Sequence, residues 1–350
     1  MSISKREFGI AANGQVITEY TVINTKGYGF SVIDYGACLT SIRVPDKMGK
    51  VRDVCLGFSD IERYEGDQNG SAGAVIGRVG GRIANASFTL EDKEYRLTAN
   101  NGKNTLHSGN EGFDKRVWSA EAVDENTVRL ELVSEDGDQG FPGQLQTAVS
   151  YSFTEENALR IKYEANTDKT TLCDITNHCY FNLNGHGQGD ILGHELEIEE
   201  KHVLEVRTDL IPTGRLIPSE DLPFCFIRSA EIGDVIKESK MFEGIAYHKG
   251  IDINYCIGEH QGLSSIATLY SAESGIEMNV RTDQPSVHIY TGMCLDFPGK
   301  DGVIYRPYSG IAMLTEHYPD SVHFPTFPSY ILRPEDCYET ITEYIFSVRE

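Results

Sequence analysis

Apolar and polar residues alternate in short runs along most of this chain. Residues 15–23, 29–33, 41–44 and 51–57 are rich in β-branched and aromatic side chains and end in turn signals, so they read as strands. One such signal is Pro45-Asp46-Lys47-Met48-Gly49, where proline presets φ and glycine permits the left-handed return. The pattern continues with a hairpin in 87–97. Further strands are expected at 127–133, 146–153, 158–166, 195–204, 267–271, 277–282, 286–291, 310–316 and 340–346. Helical spacing is confined to a turn near 61–64, inside a polar loop at 59–73, and to a short helix at 229–237. So many short strands with so little helix predict a large all-β sandwich. No linker or repeat divides residues 1–350, which points to one domain.

One run departs from the pattern. Asp174-Ile-Thr-Asn-His-Cys-Tyr-Phe-Asn-Leu183 has strand composition, but neither face is purely apolar. Asp174, Thr176, His178, Tyr180 and Asn182 share one side; Ile175, Asn177, Cys179 and Phe181 share the other. Buried polar groups are costly unless paired, so such a strand is expected to line a wet cleft with His178 at its centre.

Composition narrows the ligand. The formal net charge is −22, which disfavours nucleic acid and anionic membrane surfaces. A neutral small molecule is the easiest partner to accept. No run approaches the ~18 apolar residues of a membrane span, and the N-terminal residues lack a signal-peptide core. A cytoplasmic location is expected. Eight scattered cysteines show no zinc-like or Cys-x-x-Cys spacing, which fits reduced, mostly buried thiols.

Other polar stretches are ambiguous alone. Residues 75–83 combine glycines with Arg78 and Arg82, but the spacing is not that of a dinucleotide loop. Either arginine could be solvated or could reach a ligand. His107 sits in a polar loop, 99–112, where surface exposure is the simpler reading. The acidic loop 134–143 lacks calcium-loop spacing and reads as a turn. His186, His194 and His202 show no metal-site spacing. His107, His178, Arg82, Asp252 and a late carboxylate together suit proton transfer on a neutral, polyhydroxylated compound.

Several motifs occur in a telling order. Ile76-Gly77-Arg78-Val79 leads to Arg82-Ile83-Ala84; Asn104-x-Leu106-His107 precedes Gly112-Phe113-Asp114-Lys115 and Gly140-Phe-Pro-Gly143. Thr176-Asn177-His178-x-Tyr180-Phe181-Asn182-Leu183 is the most specific. Ile211-Pro-Thr-Gly214, Asp252-x-Asn254-Tyr255, Gln284-Pro285, Tyr290-Thr291-Gly292, Pro319-Asp320-Ser321 and Leu332-Arg333-Pro334 follow. In this order the chain resembles the aldose 1-epimerases (galactose mutarotases) over nearly its whole length. The resemblance implies a β-sandwich of the galactose-mutarotase type, the supersandwich. It also implies interconversion of α and β anomers of hexoses such as D-galactose or D-glucose, without a cofactor or metal. A base takes the anomeric proton, an acid protonates the ring oxygen, and the open chain rotates about C1–C2. The family's histidines fall on His107 and His178, the latter as acid. Its binding residues fall on Arg82, Asp252 and Gln284, with Asn177 from the central motif. The implied partner is an aldohexose, and the implied state is a monomer or homodimer.

The chain departs from the family at Gly81, Ser108 and Ile253, where Asn, Gly and often His are usual. Aligned on Pro319-Asp320-Ser321, the family's catalytic Glu falls on Leu314 and its Gln on Glu316. Glu316 is two residues late, on the same strand face, about 6.6 Å along. It is the expected base if a register shift or bulge brings it into reach. A sugar-binding homologue without catalysis is the alternative, and a two-carboxylate hydrolase is a further one.

Overall fold

The computed structural model describes residues 1–66, 69–239 and 250–349, so two residues of the expected 59–73 loop lie outside the described residues. Strands dominate, and the described residues contain two α-helices, Ile61–Glu65 and Ile232–Ser239. The first starts where the Asp60 side chain accepts the Arg63 backbone N–H, an ordinary N-cap.

The largest sheet has nine antiparallel strands. Their order is Ser119–Ala122, Thr127–Ser134, Leu145–Phe153, Ala158–Thr167, Tyr338–Val348, Ile276–Thr282, Ser264–Ser271, His194–Ile198 and Ala230–Glu231. Alternation sorts its faces. In Ala158–Thr167, Leu159, Ile161, Tyr163 and Ala165 are buried. Arg160, Lys162 and Glu164 point outward and join surface ion pairs with Glu343, Glu339 and Arg129. Such pairs add at most ~1 kcal/mol each; the burial of each large apolar side chain is worth ~1.5–3 kcal/mol.

A six-stranded antiparallel sheet packs on the buried face. Its order is Tyr180–Phe181, Ile311–Glu316, Ser286–Tyr290, Asp252–Cys256, His202–Val206 and Pro212–Pro218. Phe181, Ile253, Tyr255, Val287, Ile289, Ile311 and Met313 enter one apolar cluster with the inner face of the large sheet. Phe181 meets Tyr344 at 4.8 Å between ring centroids, and the Tyr344 hydroxyl donates to the Met313 carbonyl at 3.1 Å. The opposite face of the six-stranded sheet is free of this core. A five-stranded sheet runs Ser2–Ile10, Val16–Ile23, Gly29–Ile33, Leu39–Pro45 and Val51–Asp53.

Three expectations change. The 174–183 run is not one strand. Thr176–Asn177 pairs with Val75–Ile76, whereas Tyr180–Phe181 pairs with Ile311 and Ala312. The chain changes partners at His178, whose N–H still bonds to the Ala74 carbonyl at 2.8 Å. The 195–204 run likewise splits into His194–Ile198 and His202–Val206, one in each large sheet. The 51–57 strand shortens to Val51–Asp53. The Ser2–Ile10 strand was not legible, because it is an exposed edge with few buried side chains to set a pattern. Among the described residues, no helix is long and apolar enough to cross a membrane.

Candidate functional site

The outward face of the six-stranded sheet forms the floor of a cavity of about 410 Å³. That size is within the ~300–1,000 Å³ of small-molecule clefts. Cross-strand register explains which side chains arrive there. Ala312 pairs with Tyr290, and Tyr290 with Asp252; Leu314 pairs with His288, and His288 with Asn254; Glu316 pairs with Ser286. Directly opposed residues share a face, so these rows lie side by side. Tyr180 opposes Ala312, and His178, two residues earlier, joins the same side.

Glu316 enters this cavity without a bulge. The pairing from Ser286↔Glu316 to Tyr290↔Ala312 is regular, so the expected register shift is absent. Its surroundings hold it in the cavity. Asn254 on the strand beyond reaches across and donates to Oε1 at 2.9 Å. Gly80 leaves space above: a Cβ there would lie 2.9 Å from Oε2. The Ser286 hydroxyl donates to the Glu316 carbonyl at 2.7 Å. Asp174, buried, accepts the His317 ring Nδ1 at 3.0 Å and its backbone N–H at 3.2 Å, which fixes the strand end beside Glu316. Among the described residues, Oε2 is buried with no hydrogen-bond partner. Burial is the largest influence on this carboxyl and, with nearby Asp174, raises its pKa to about 7; His288, Asn254 and His317 pull the other way.

The histidines face each other. His107 and His178 meet edge to face, with centroids 5.6 Å apart, and Tyr180 lies 4.9 Å from His178. Nδ1 of each imidazole is buried and has no partner among the described residues. Burial lowers the pKa of His178 to about 4 and holds His107 well below the ordinary histidine value. Both rings are neutral at pH 7. His107 is not on the surface, as its loop composition suggested. Thr105–Leu106 pairs with Arg82–Ile83, and the His107 N–H bonds to the Gly81 carbonyl at 2.9 Å. His107 and Ser108 adopt φ of 51° and 67°, a left-handed pair costing ~1–2 kcal/mol per residue. Ser108 compensates by clasping Val79: its Oγ accepts the Val79 N–H at 2.8 Å and donates to the Val79 carbonyl at 3.1 Å. Gly81 has φ +64° and passes against Pro319, 3.1 Å from where a Cβ would stand.

The two arginines of the 75–83 stretch part company. Arg82 lines the cavity, anchored by Nε to Asn101 Oδ1 at 3.2 Å. Arg78 is buried on the other side and makes no part of the site. Its guanidinium donates to the Ser134 hydroxyl and to the carbonyls of Ser134, Glu135, Pro142 and Gly143 at 2.8–2.9 Å. The acidic 134–143 loop is thus a socket for Arg78.

Asp252 lines the cavity and accepts from His288 Nε2 at 2.8 Å. Two expected binding residues are corrected. Gln284 is buried off the cavity, with its amide 3.4 Å from the Tyr338 hydroxyl, because it precedes the Ser286–Tyr290 strand rather than lying on its exposed face. Asn177 points toward the core: its amide donates to the Gly73 carbonyl at 2.8 Å and to the Tyr151 hydroxyl at 3.2 Å, and its oxygen accepts the Cys179 N–H. Alternation separates it from His178. His288 and Tyr290 line the cavity without having been singled out. Their signal was present: Ser286, His288 and Tyr290 alternate with Val287 and Ile289, a polar stripe against an apolar one. Among the described residues, no group of three or more His, Cys, Asp or Glu is placed to hold a metal ion.

A family model described as aldose 1-epimerase matches residues 18–344. The chain belongs to the aldose 1-epimerase family. Galactose mutarotase from Rattus norvegicus is 37% identical over 351 residues, covering 99% of each chain. Aldose 1-epimerase from Escherichia coli K12 is 36% identical over 341 residues, covering 96% of this chain and 97% of its own. The crystal structure of an aldose epimerase homologue from C. elegans superposes with a TM-score of 0.86 at 31% identity, covering 94% of this chain and 98% of the other. The C. elegans structure shares the sandwich.

Proposed function

We propose that this chain is an aldose 1-epimerase that interconverts the α and β anomers of an aldohexose by acid–base ring opening. The observation that carries the reading is the convergence of Glu316, His178, His107, Arg82 and Asp252 on one cavity of sugar-binding size in a chain of this family. Glu316 takes the proton of the anomeric hydroxyl. A base whose pKa is near the working pH both takes and returns a proton readily, and about 7 meets that need. His178 donates to the ring oxygen as C1–O5 breaks; a neutral imidazole is an effective donor to an oxygen gaining negative charge. Rotation about C1–C2 and reversal of the steps give the other anomer. Arg82, Asp252 and His107 hold hydroxyl groups by charge-assisted and neutral hydrogen bonds.

Polarimetry on freshly dissolved α-D-galactose and α-D-glucose tests this. The protein is expected to speed mutarotation, and Glu316→Gln and His178→Asn each to slow it by about 10²–10⁴-fold. Leu314 at the family's Glu position favours a second reading, a sugar-binding protein without catalysis. Sugar binding by calorimetry with an unaccelerated rate would establish that one instead. We also propose a cytoplasmic setting, supported by eight free cysteines; fractionation of the source cells checks it.

A further inference from the structure

Both nitrogens of the His288 ring are occupied. Nε2 lies 2.8 Å from Asp252 Oδ1, and Nδ1 lies 2.8 Å from Asn254 Oδ1. The far end of the same amide, Asn254 Nδ2, donates to Glu316 Oε1 at 2.9 Å. A carboxylate and an amide oxygen only accept, so in this orientation of the amide both ring nitrogens must donate and His288 is an imidazolium. Turning the amide over reverses its ends. Its nitrogen then donates to Nδ1, and its oxygen faces Oε1. That arrangement requires a neutral imidazole carrying its proton on Nε2 and a protonated Glu316. Each arrangement holds the same proton total. The first has two on the ring and none on the carboxylate; the second has one on each.

We propose that His288 is a positioning residue for Glu316: through the Asn254 amide it keeps the carboxylate ionised and aimed at the sugar, because that bridge is satisfied in only two linked proton states. His288 does not itself face the reacting atoms, since both nitrogens are spent on protein partners. Its cation stands where it stabilises the anion two residues beyond Leu314, the position at which the family keeps its base. The charge and geometry agree: burial alone would depress His288, yet the Asp252 hydrogen bond and the Asp252 and Glu316 charges raise it. The other ionisable groups around the pair are Arg82 from the Arg82–Ile83 strand, His107 and His178 on the facing wall, Asp174 with its partner His317, and Tyr330. None of them is bridged to Glu316 by Asn254.

The kinetic consequence rests on the epimerase reading; the proton linkage does not. In polarimetric pH profiles of kcat/KM, His288→Gln is expected to move the acidic limb up by about one pH unit, the effect of removing a nearby cation from a carboxylate. The alkaline plateau should fall far less. A rate lowered equally at every pH, with an unmoved limb, overturns the proposal. A second measurement needs no activity. In ¹⁵N-histidine-labelled protein, both His288 ring nitrogens are expected to be protonated once Glu316 has ionised, above about pH 7, and the midpoint for losing that state is expected to fall in Glu316→Gln. An unmoved midpoint also overturns the proposal, and this arm decides the matter if His288→Gln does not fold. Wild-type protein that fails to speed mutarotation would remove the epimerase reading while leaving the linkage to be judged by the resonance data.

Discussion

Two buried polar clusters lie on either side of the same glycine-rich stretch, and they are built on opposite terms. Around Arg78 every donor is satisfied: the hydroxyl and four carbonyls of the 134–143 segment, with the Thr171 hydroxyl at 3.3 Å, surround the guanidinium. Around Glu316 the satisfaction is partial. Glu316 Oε2, His178 Nδ1 and His107 Nδ1 are buried with no partner among the described residues. An unsatisfied buried polar atom costs about 1–3 kcal/mol. A ligand that hydrogen-bonds to these atoms would offset that cost. The first cluster holds a loop in place, and the second is open to a ligand. Three residues of sequence separate Arg78 from Arg82, and cluster satisfaction, not residue type, tells the two roles apart.

The comparison breaks most visibly at Arg78. Arg78→Ala would leave several carbonyls without a donor at once. About 3–5 kcal/mol of stability should be lost, read as a lower urea midpoint. Arg82→Ala should cost under about 1 kcal/mol by the same measure, because Arg82 has one protein hydrogen bond at 3.2 Å. Its damage should fall on KM for the sugar. Equal stability losses at the two sites would end the distinction.

A second test concerns what an unsatisfied carboxyl does to the fold. Glu316 has its pKa raised to about 7, from an ordinary 4.5, chiefly by burial. A carboxyl raised in the folded state binds its proton more tightly there than in the unfolded chain. Its contribution is therefore intact below pH 4.5 and declines as pH rises toward 7, by up to about 3 kcal/mol. Glu316→Gln removes the titration. The variant should match the wild type near pH 4 and become the more stable protein by pH 8, while losing activity. Asp114 and Glu200, also raised by burial, titrate in both proteins and cancel. Identical stability profiles would mean that the carboxyl is better solvated than its surroundings suggest.

The sandwich was legible because alternation reports burial, and burial is strong in both large sheets. The exposed Ser2–Ile10 edge escaped for the converse reason. His178 was legible as a polar residue where an apolar one was due, whereas Arg82 and Asp252 were ambiguous alone and became candidates through the family motifs. Gln284 and Asn177 misled because a motif identifies a neighbourhood, whereas pleating decides which neighbour faces the ligand. His288 was within reach of the same alternation rule that singled out His178. Its pairing with Asn254 and Asp252 was not, since it depends on the register of separate strands.

A third test probes the space that admits a displaced base. Gly80→Ala would set a methyl group 2.9 Å from Glu316 Oε2 and 3.1 Å from Thr176 Cγ2. Overpacking of this kind costs about 1–3 kcal/mol. The carboxyl should yield before the strand does, so kcat should fall by roughly tenfold with a modest change in melting temperature. An unchanged kcat would show that Glu316 needs no such room.

The smallest expected effect concerns Gln284. Among the described residues its side-chain amide has one hydrogen-bond partner, Tyr338, at a long 3.4 Å, and it lies off the cavity wall. Gln284→Leu should leave both kcat and KM unchanged and cost about 1 kcal/mol or less. His288→Gln, by contrast, acts from the cavity wall itself, two strands from His178. If Gln284→Leu raised KM while His288→Gln left the pH profile untouched, the assignment of the polar stripe on Ser286–Tyr290 would be reversed. The cavity would then reach past the strand end toward Tyr338. Measuring the two variants side by side therefore locates the edge of the site, which neither variant does alone.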